Sequence, residues 1–179
     1  VDTVGDFEVA LGGALADLGC KPVDQAFIRL TVGKGSEHLI KRTLEQVGAP
    51  ASLYDQAWER YQHHYLAING QHSAVYAGVI EGLKALRERG FKLACLTNKP
   101  TAFAMPLLAA KGLAEHFTVA FGGDAFPRKK PDPMPLLEAC KALGTAPERT
   151  LMIGDSSNDA KAARAAGCPV VLVSYGYNH

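Results

Sequence analysis

The chain has no apolar run approaching the roughly 20 residues a membrane-spanning helix needs. It also has almost no charge excess: 19 Lys and Arg against 18 Asp and Glu leave a formal net charge of +1 over 179 residues. A nucleic-acid-binding surface is normally far more basic, so that class is set aside, although a local basic pocket is not. The four cysteines, Cys20, Cys95, Cys140 and Cys168, form no CxxC pair. His63 and His64 have no cysteine at ligand spacing, which argues against zinc. Widely spaced thiols of this kind read as reduced and mostly buried, as in a cytoplasmic protein. The residues from Val1 onward carry no secretory signal pattern, and no internal repeat or low-complexity tract occurs. What is there is 47% hydrophobic with mean hydropathy near zero. That is the composition of one globular domain, or of a core domain with a small inserted one.

Hydrophobic spacing divides the chain. Over the first 70 or so residues, apolar side chains recur at helical intervals. Four helices are expected: 6–20 (Phe7, Ala10, Leu11, Leu15, Leu18), 23–30, 37–47 with Ser36 as N-cap, and 52–68. The last carries Tyr54, Trp58, Tyr61 and Tyr65, which are expected to pack between helices rather than line a ligand box. A glycine-bounded turn, 31–35, joins the second helix to the third. A polar linker, 69–77, is the candidate boundary, giving a helical domain 1–73 and a second domain 74–179.

Beyond the linker the grammar changes. Helices are expected at 79–89 (Ile80, Leu83 and Leu86 inside), 101–111 and 134–143, and a further one ends at Gly167. Between them lie apolar strands at 91–96, 117–121, 151–153 and 169–174. Strands alternating with helices imply an α/β fold with a parallel sheet.

Polar residues follow three of these strands. Thr97 and Asn98 follow the first, Lys129 and Lys130 follow the second within PRKKPDP, and Asp155 and Asp159 follow the third within GDSSND. The carboxyl ends of parallel strands share one edge, where ligands of open α/β sheets bind. Two carboxylates there suit a hard cation such as magnesium. A lysine offsets phosphate charge, and a hydroxyl with backbone N–H groups binds phosphoryl oxygens. Each piece alone has a plainer reading: a helix cap at Thr97-Asn98, a solvated turn at PRKKPDP, an N-cap with favourable dipole charges at GDSSND. Their succession at three strand ends points to a phosphoryl ligand.

The series LTNKP, GGDAFPRKKPDP and MIGDSSNDAKAARAAG resembles the second, third and fourth motifs of the haloacid dehalogenase-like phosphohydrolases. The wording is similar to that of the bacterial phosphoglycolate phosphatases. The resemblance implies a Rossmann-like parallel-sheet core with an inserted four-helix cap, and magnesium as cofactor. It implies that Thr97 hydrogen-bonds the phosphoryl group and Asn98 helps orient it. Lys130 would neutralise the phosphoryl charge, while Lys129 is solvated. Asp155 would ligate magnesium, and Asp159 would join it, hold its waters or hold Lys130; Ser156 and Asn158 would shape the loop. In the cap, Gly33 and Lys34, with Lys41 and Arg42 nearby, are candidates to contact a small carboxylate-bearing phosphate ester. The partner expected is a small phosphorylated metabolite, handled by a cytoplasmic monomer or homodimer with no nucleic-acid or membrane partner. A sugar-phosphate phosphatase or phosphomutase, a non-catalytic phospho-ligand-binding protein and a receiver-like signalling domain are the alternatives; the helical cap and KPDP count against the last.

One motif of that family has no counterpart. Its first motif, DxDGT, carries the aspartate that attacks phosphorus and the general acid/base. VDTVGDFEVAL is similar to what normally follows it, and Asp2 and Asp6 are wrongly flanked to replace it. The expectation is a core lacking its central first strand and incomplete at both ends, part of a longer polypeptide, and inactive as it stands.

Overall fold

The structure, a computed structural model, describes residues 1–177; Asn178 and His179, at the end of the expected 74–179 stretch, lie outside the described residues. Two compact units are present, Val1–Val75 and Tyr76–His179.

The first unit is helical: α1 (Val4–Asp17), α2 (Gln25–Thr31), α3 (Ser36–Gln46) and α4 (Tyr54–Ile68). Helix α1 packs chiefly on α4, burying Phe7, Ala10, Leu11, Ala14 and Leu15 beside Tyr61 and Tyr65. Tyr54, Trp58, Tyr61 and Tyr65 recur every three or four residues and so share one helix face. Successive ring centroids lie 6.4, 6.4 and 5.4 Å apart, and Phe7 joins Tyr65 at 5.5 Å. The aromatics are packing residues, each buried ring contributing on the order of 2 kcal/mol.

Two local expectations change here. Helix α3 begins at Ser36 itself, behind Gly35 at φ 97°. The chain enters the helix through a left-handed turn that glycine accepts without strain, and Ser36 is buried beside Tyr61 instead of capping. The 69–77 linker is also not loose. Asp6, fully buried, accepts the N–H groups of Gly70 and His72 at 2.8 and 2.7 Å and the Ser73 hydroxyl. Asp2 and Ala74 exchange backbone hydrogen bonds of 2.8 and 2.9 Å. A buried carboxyl group is costly unless donors meet its oxygens, so the linker supplies what the helix cannot.

The second unit runs α5 (Val79–Glu88), β1 (Ala94–Leu96), α6 (Thr101–Ala110), β2 (Val119–Phe121), α7 (Met134–Leu143), β3 (Met152–Gly154), α8 (Ser157–Ala166), β4 (Val170–Leu172). The alternation is as the sequence implies, and the strands pair in parallel: Ala94 with Val119 in β1–β2, Met152 with Val170 in β3–β4. The single expected sheet is instead two separate pairs. Among the described residues no ladder joins β1 to β3.

Helices bring the pairs together. Helix α7 packs on β1 and β2, α8 packs on β3 and β4, and α7 packs on α8. Their shared core is Leu136, Cys140, Met152, Ala163, Ala166 and Cys168, with Leu96 and Val170 against it. The four cysteines are free thiols. Alternation along β3 turns Met152 into this core and Ile153 away from it, so Ile153 stays 56% exposed. Ile80, Leu83 and Leu86 of α5, expected inside, are only half-buried. Among the described residues, no helix is long and apolar enough to cross a membrane.

Candidate functional site at the strand ends

Three of the expected residues meet in one hydrogen-bonded chain. Lys130 leaves the loop after β2 with its side chain 10% exposed. Its Nζ donates to the Leu96 carbonyl at the end of β1, 2.8 Å away, and to Asp159 Oδ1 in the first turn of α8, 2.7 Å away. One ammonium therefore joins the carboxyl end of the first strand pair to the helix that follows β3, across the gap that no ladder closes.

Asp159 is as well held as a carboxylate can be. Oδ2 accepts from the N–H groups of Asp155 and Ser156, both at 3.1 Å, and from Ser156 Oγ at 2.9 Å. Ser156 and Asp159 thus form the reciprocal capping box of α8. The plain reading of GDSSND as a helix cap is present, and the capping Asp159 is also the counter-ion of Lys130. Burial raises the cost of ionising Asp159, but the Lys130 charge and the hydrogen bonds from Lys130, Asp155 and Ser156 outweigh it and hold its carboxyl below the usual carboxylate range. Gly154 makes the approach possible, since a Cβ there would overlap the Asp159 side chain.

Of the tasks expected for Asp159, the contact with Lys130 is the one present, and protein donors engage both its oxygens. Asn98, expected to help orient a phosphoryl group, donates from Nδ2 to the Lys130 carbonyl at 2.8 Å. Asn98 is buried, and it holds the loop that delivers the lysine. Gly123 lets that loop close in, for a Cβ there would overlap the Asn98 backbone.

Thr97 and Asp155 keep free valences. Thr97 Oγ1 accepts from the Lys99 N–H at 3.1 Å, which leaves its hydroxyl proton to donate. Asp155 Oδ2 accepts from the Tyr177 N–H at 2.9 Å, and among the described residues no hydrogen bond or ion pair engages Oδ1. Lys130 and Asp159 pair with each other, whereas among the described residues Asp155 has no ion-pair partner, so its carboxylate charge is open to a ligand. A hard oxygen with that charge fits a hard divalent cation that retains several waters. Among the described residues no group of three or more His, Cys, Asp or Glu side chains converges to hold a metal. Asp155 would be a ligand to such a cation.

Sequence reasoning missed two participants. Tyr177 reaches Asp155 through its backbone, which no residue type announces. Asp124 accepts from the N–H of Thr101, at 2.8 Å, and from its hydroxyl, anchoring the start of α6; the Thr101 hydroxyl lowers the Asp124 pKa. An acid placed to cap a helix from a distant loop leaves no local signal. Gly33 and Lys34 belong to the first unit, in the turn between α2 and α3, with Gly33 at φ 109°. Of their neighbours, Lys41 Nζ lies 5.3 Å from the Tyr54 ring centroid and Arg42 pairs with Glu45.

Residues 1–173 match the family model described as haloacid dehalogenase-like hydrolase. The chain is 44% identical over 181 residues to a phosphoglycolate phosphatase of Thiobacillus denitrificans, covering 99% of this chain and 80% of that protein. It is 45% identical, with the same coverage, to one of Nitrosospira multiformis. Among solved structures, one described as a predicted phosphoglycolate phosphatase from Haemophilus somnus superposes with a TM-score of 0.92 at 31% identity, covering 98% of this chain and 81% of that one. The strand-end lysine, its aspartate partner and the half-engaged Asp155 thus occur in a chain that belongs to the haloacid dehalogenase-like hydrolases.

Proposed function

We propose that the protein is a cytoplasmic phosphatase acting on a small phosphate monoester, 2-phosphoglycolate in the first instance, with magnesium at Asp155. The observation that carries this reading is the Lys130 ammonium, fixed between Asp159 and the carbonyl of Leu96, the residue before Thr97, at the carboxyl end of β1. The names of the similar proteins support the choice of substrate.

Each residue has a derivable task. Lys130, held in place by Asp159, offsets the negative charge of phosphoryl oxygens, a charge that grows more demanding in the transition state. The Thr97 hydroxyl donates to a phosphoryl oxygen. Asn98 keeps the Lys130 loop in place. Asp155 Oδ1 offers the oxygen for magnesium, which when bound supplies further neutralisation of phosphoryl charge. Gly33 and Lys34 are proposed to meet the substrate carboxylate. The covalent aspartyl-phosphate route that the family resemblance implies requires a nucleophilic aspartate, and neither Asp2 nor Asp6 is suited to it. Asp6 is occupied by three donors, and Asp2 pairs with Arg29.

The test is phosphate release by the protein in its full natural length. Turnover of 2-phosphoglycolate should exceed that of glucose 6-phosphate and should require magnesium. Lys130→Met and Asp155→Asn should each lower kcat by about 100-fold or more. Equal rates on both esters, or an unimpaired Asp155→Asn protein, would refute the reading.

A further inference from the structure

Gly176 is a glycine that its own backbone does not require. Its φ lies outside the left-handed region that the positive-φ glycines of this chain occupy, so other residues could adopt it. Space forbids them instead. A Cβ at 176 would overlap the Cβ, Cγ and Oδ2 atoms of Asp155.

The chain reaches this place along a fixed route. Strand β4 pairs with β3 as far as Leu172, and the Val173 N–H extends the pairing with a 2.8 Å bond to the Gly154 carbonyl. Residues 174–176 then bend. Tyr175 packs on Tyr76, with ring centroids 4.9 Å apart, and the next N–H but one, that of Tyr177, lands on Asp155 Oδ2 at 2.9 Å. The bend is thus held at the strand, at the ring pair and at the carboxylate. Its backbone lies against one side of Asp155 and satisfies one oxygen.

We infer that residues 174–177 are a positioning device for Asp155: the Tyr177 N–H fixes Oδ2, the bare Gly176 backbone walls the carboxylate on that side, and Oδ1 is thereby presented to a divalent cation. This rests on the reading of Asp155 as the cation ligand. An isolated aspartate loses side-chain entropy when it binds an ion; one already fixed in place loses less. Partners that orient a ligating carboxylate act on affinity in this way.

Calorimetric titration of the full-length protein with Mg²⁺ or Mn²⁺ tests the inference without reference to turnover. Gly82→Ala, in α5 where a Cβ meets open space, should bind like the wild type. Asp155→Asn should lose binding, and Gly176→Ala should weaken it by about 10- to 100-fold. Wild-type affinity in Asp155→Asn would overturn the assignment of Asp155 itself. Wild-type affinity in a folded Gly176→Ala, with Asp155→Asn impaired, would overturn the role of the bend alone. The steric contact has its own readout in the melting temperature without metal. Gly176→Ala should lower it in the native background and not in an Asp155→Gly background, because the overlapped side chain is gone. An equal drop in both backgrounds would overturn the proposed wall, and the comparison holds even if Gly176→Ala alone unfolds.

Discussion

Replacing Lys130 by methionine removes a cation from the least exposed ion pair of the site, where the side chains are 10% and 6% exposed. Methionine fills most of the lysine stem's volume, so the cost is electrostatic. Removing one partner from a buried pair typically costs about 3–5 kcal/mol, because the other charge stays buried. Here the lower end applies, about 3 kcal/mol, since Asp159 keeps the Ser156 and Asp155 donors on Oδ2. Asp159→Asn strands Lys130 on the Leu96 carbonyl and should cost a similar amount. The double variant buries neither charge, so its loss should fall short of the sum, with a coupling of about 2 kcal/mol. Urea unfolding with unchanged m-values measures this, and amide exchange along α8 localises it. The pH dependence gives a second reading. Asp159 ionises more easily folded than unfolded, so its contribution is fully present above about pH 4 and is lost as pH falls through its lower folded value. The gap between wild type and Lys130→Met should therefore be widest near neutrality and narrow toward pH 3. Additive single effects, or a gap independent of pH, would refute the account of the pair.

Asp6→Asn should destabilise the helical unit by about 2–3 kcal/mol, since an amide cannot accept from all three donors that converge there. Trp58 is the single tryptophan of the chain and lies in the same unit, so its fluorescence during urea unfolding is the check. Ser156→Ala removes one arm of the capping box and should cost about 1 kcal/mol. Ser156→Thr should recover most of that loss, both read by urea unfolding followed by circular dichroism.

Much of the local structure was legible because its causes are local. Apolar spacing, with the alanine run of α8, located each α-helix, and α7 to the residue (Met134–Leu143). Gly167 ends α8 in the left-handed conformation, at φ 77°, as the alanine-rich run closed by glycine implies. The strands shortened to the three residues of each ladder, because an apolar run does not say which of its residues find a partner. Ile153 shows the same limit: its hydrophobicity predicts burial, but exposure depends on what covers that face.

The sequence placed Thr97, Asn98, Lys130, Asp155 and Asp159 at the strand ends, because each follows an apolar run in a chain of alternating strands and helices. It did not determine what each does there. Lys130 meets Asp159 across 29 residues, Asn98 meets the Lys130 carbonyl across 32, and Tyr177 meets Asp155 across 22. Two of those three bonds use a backbone group, which every residue type carries alike. Tertiary structure alone decided between the tasks open to Asp159, by setting it against the lysine, and tied Asn98 to the lysine's loop. A carboxylate or amide takes whichever donors and acceptors the fold brings within about 3 Å, and those come from distant parts of the chain.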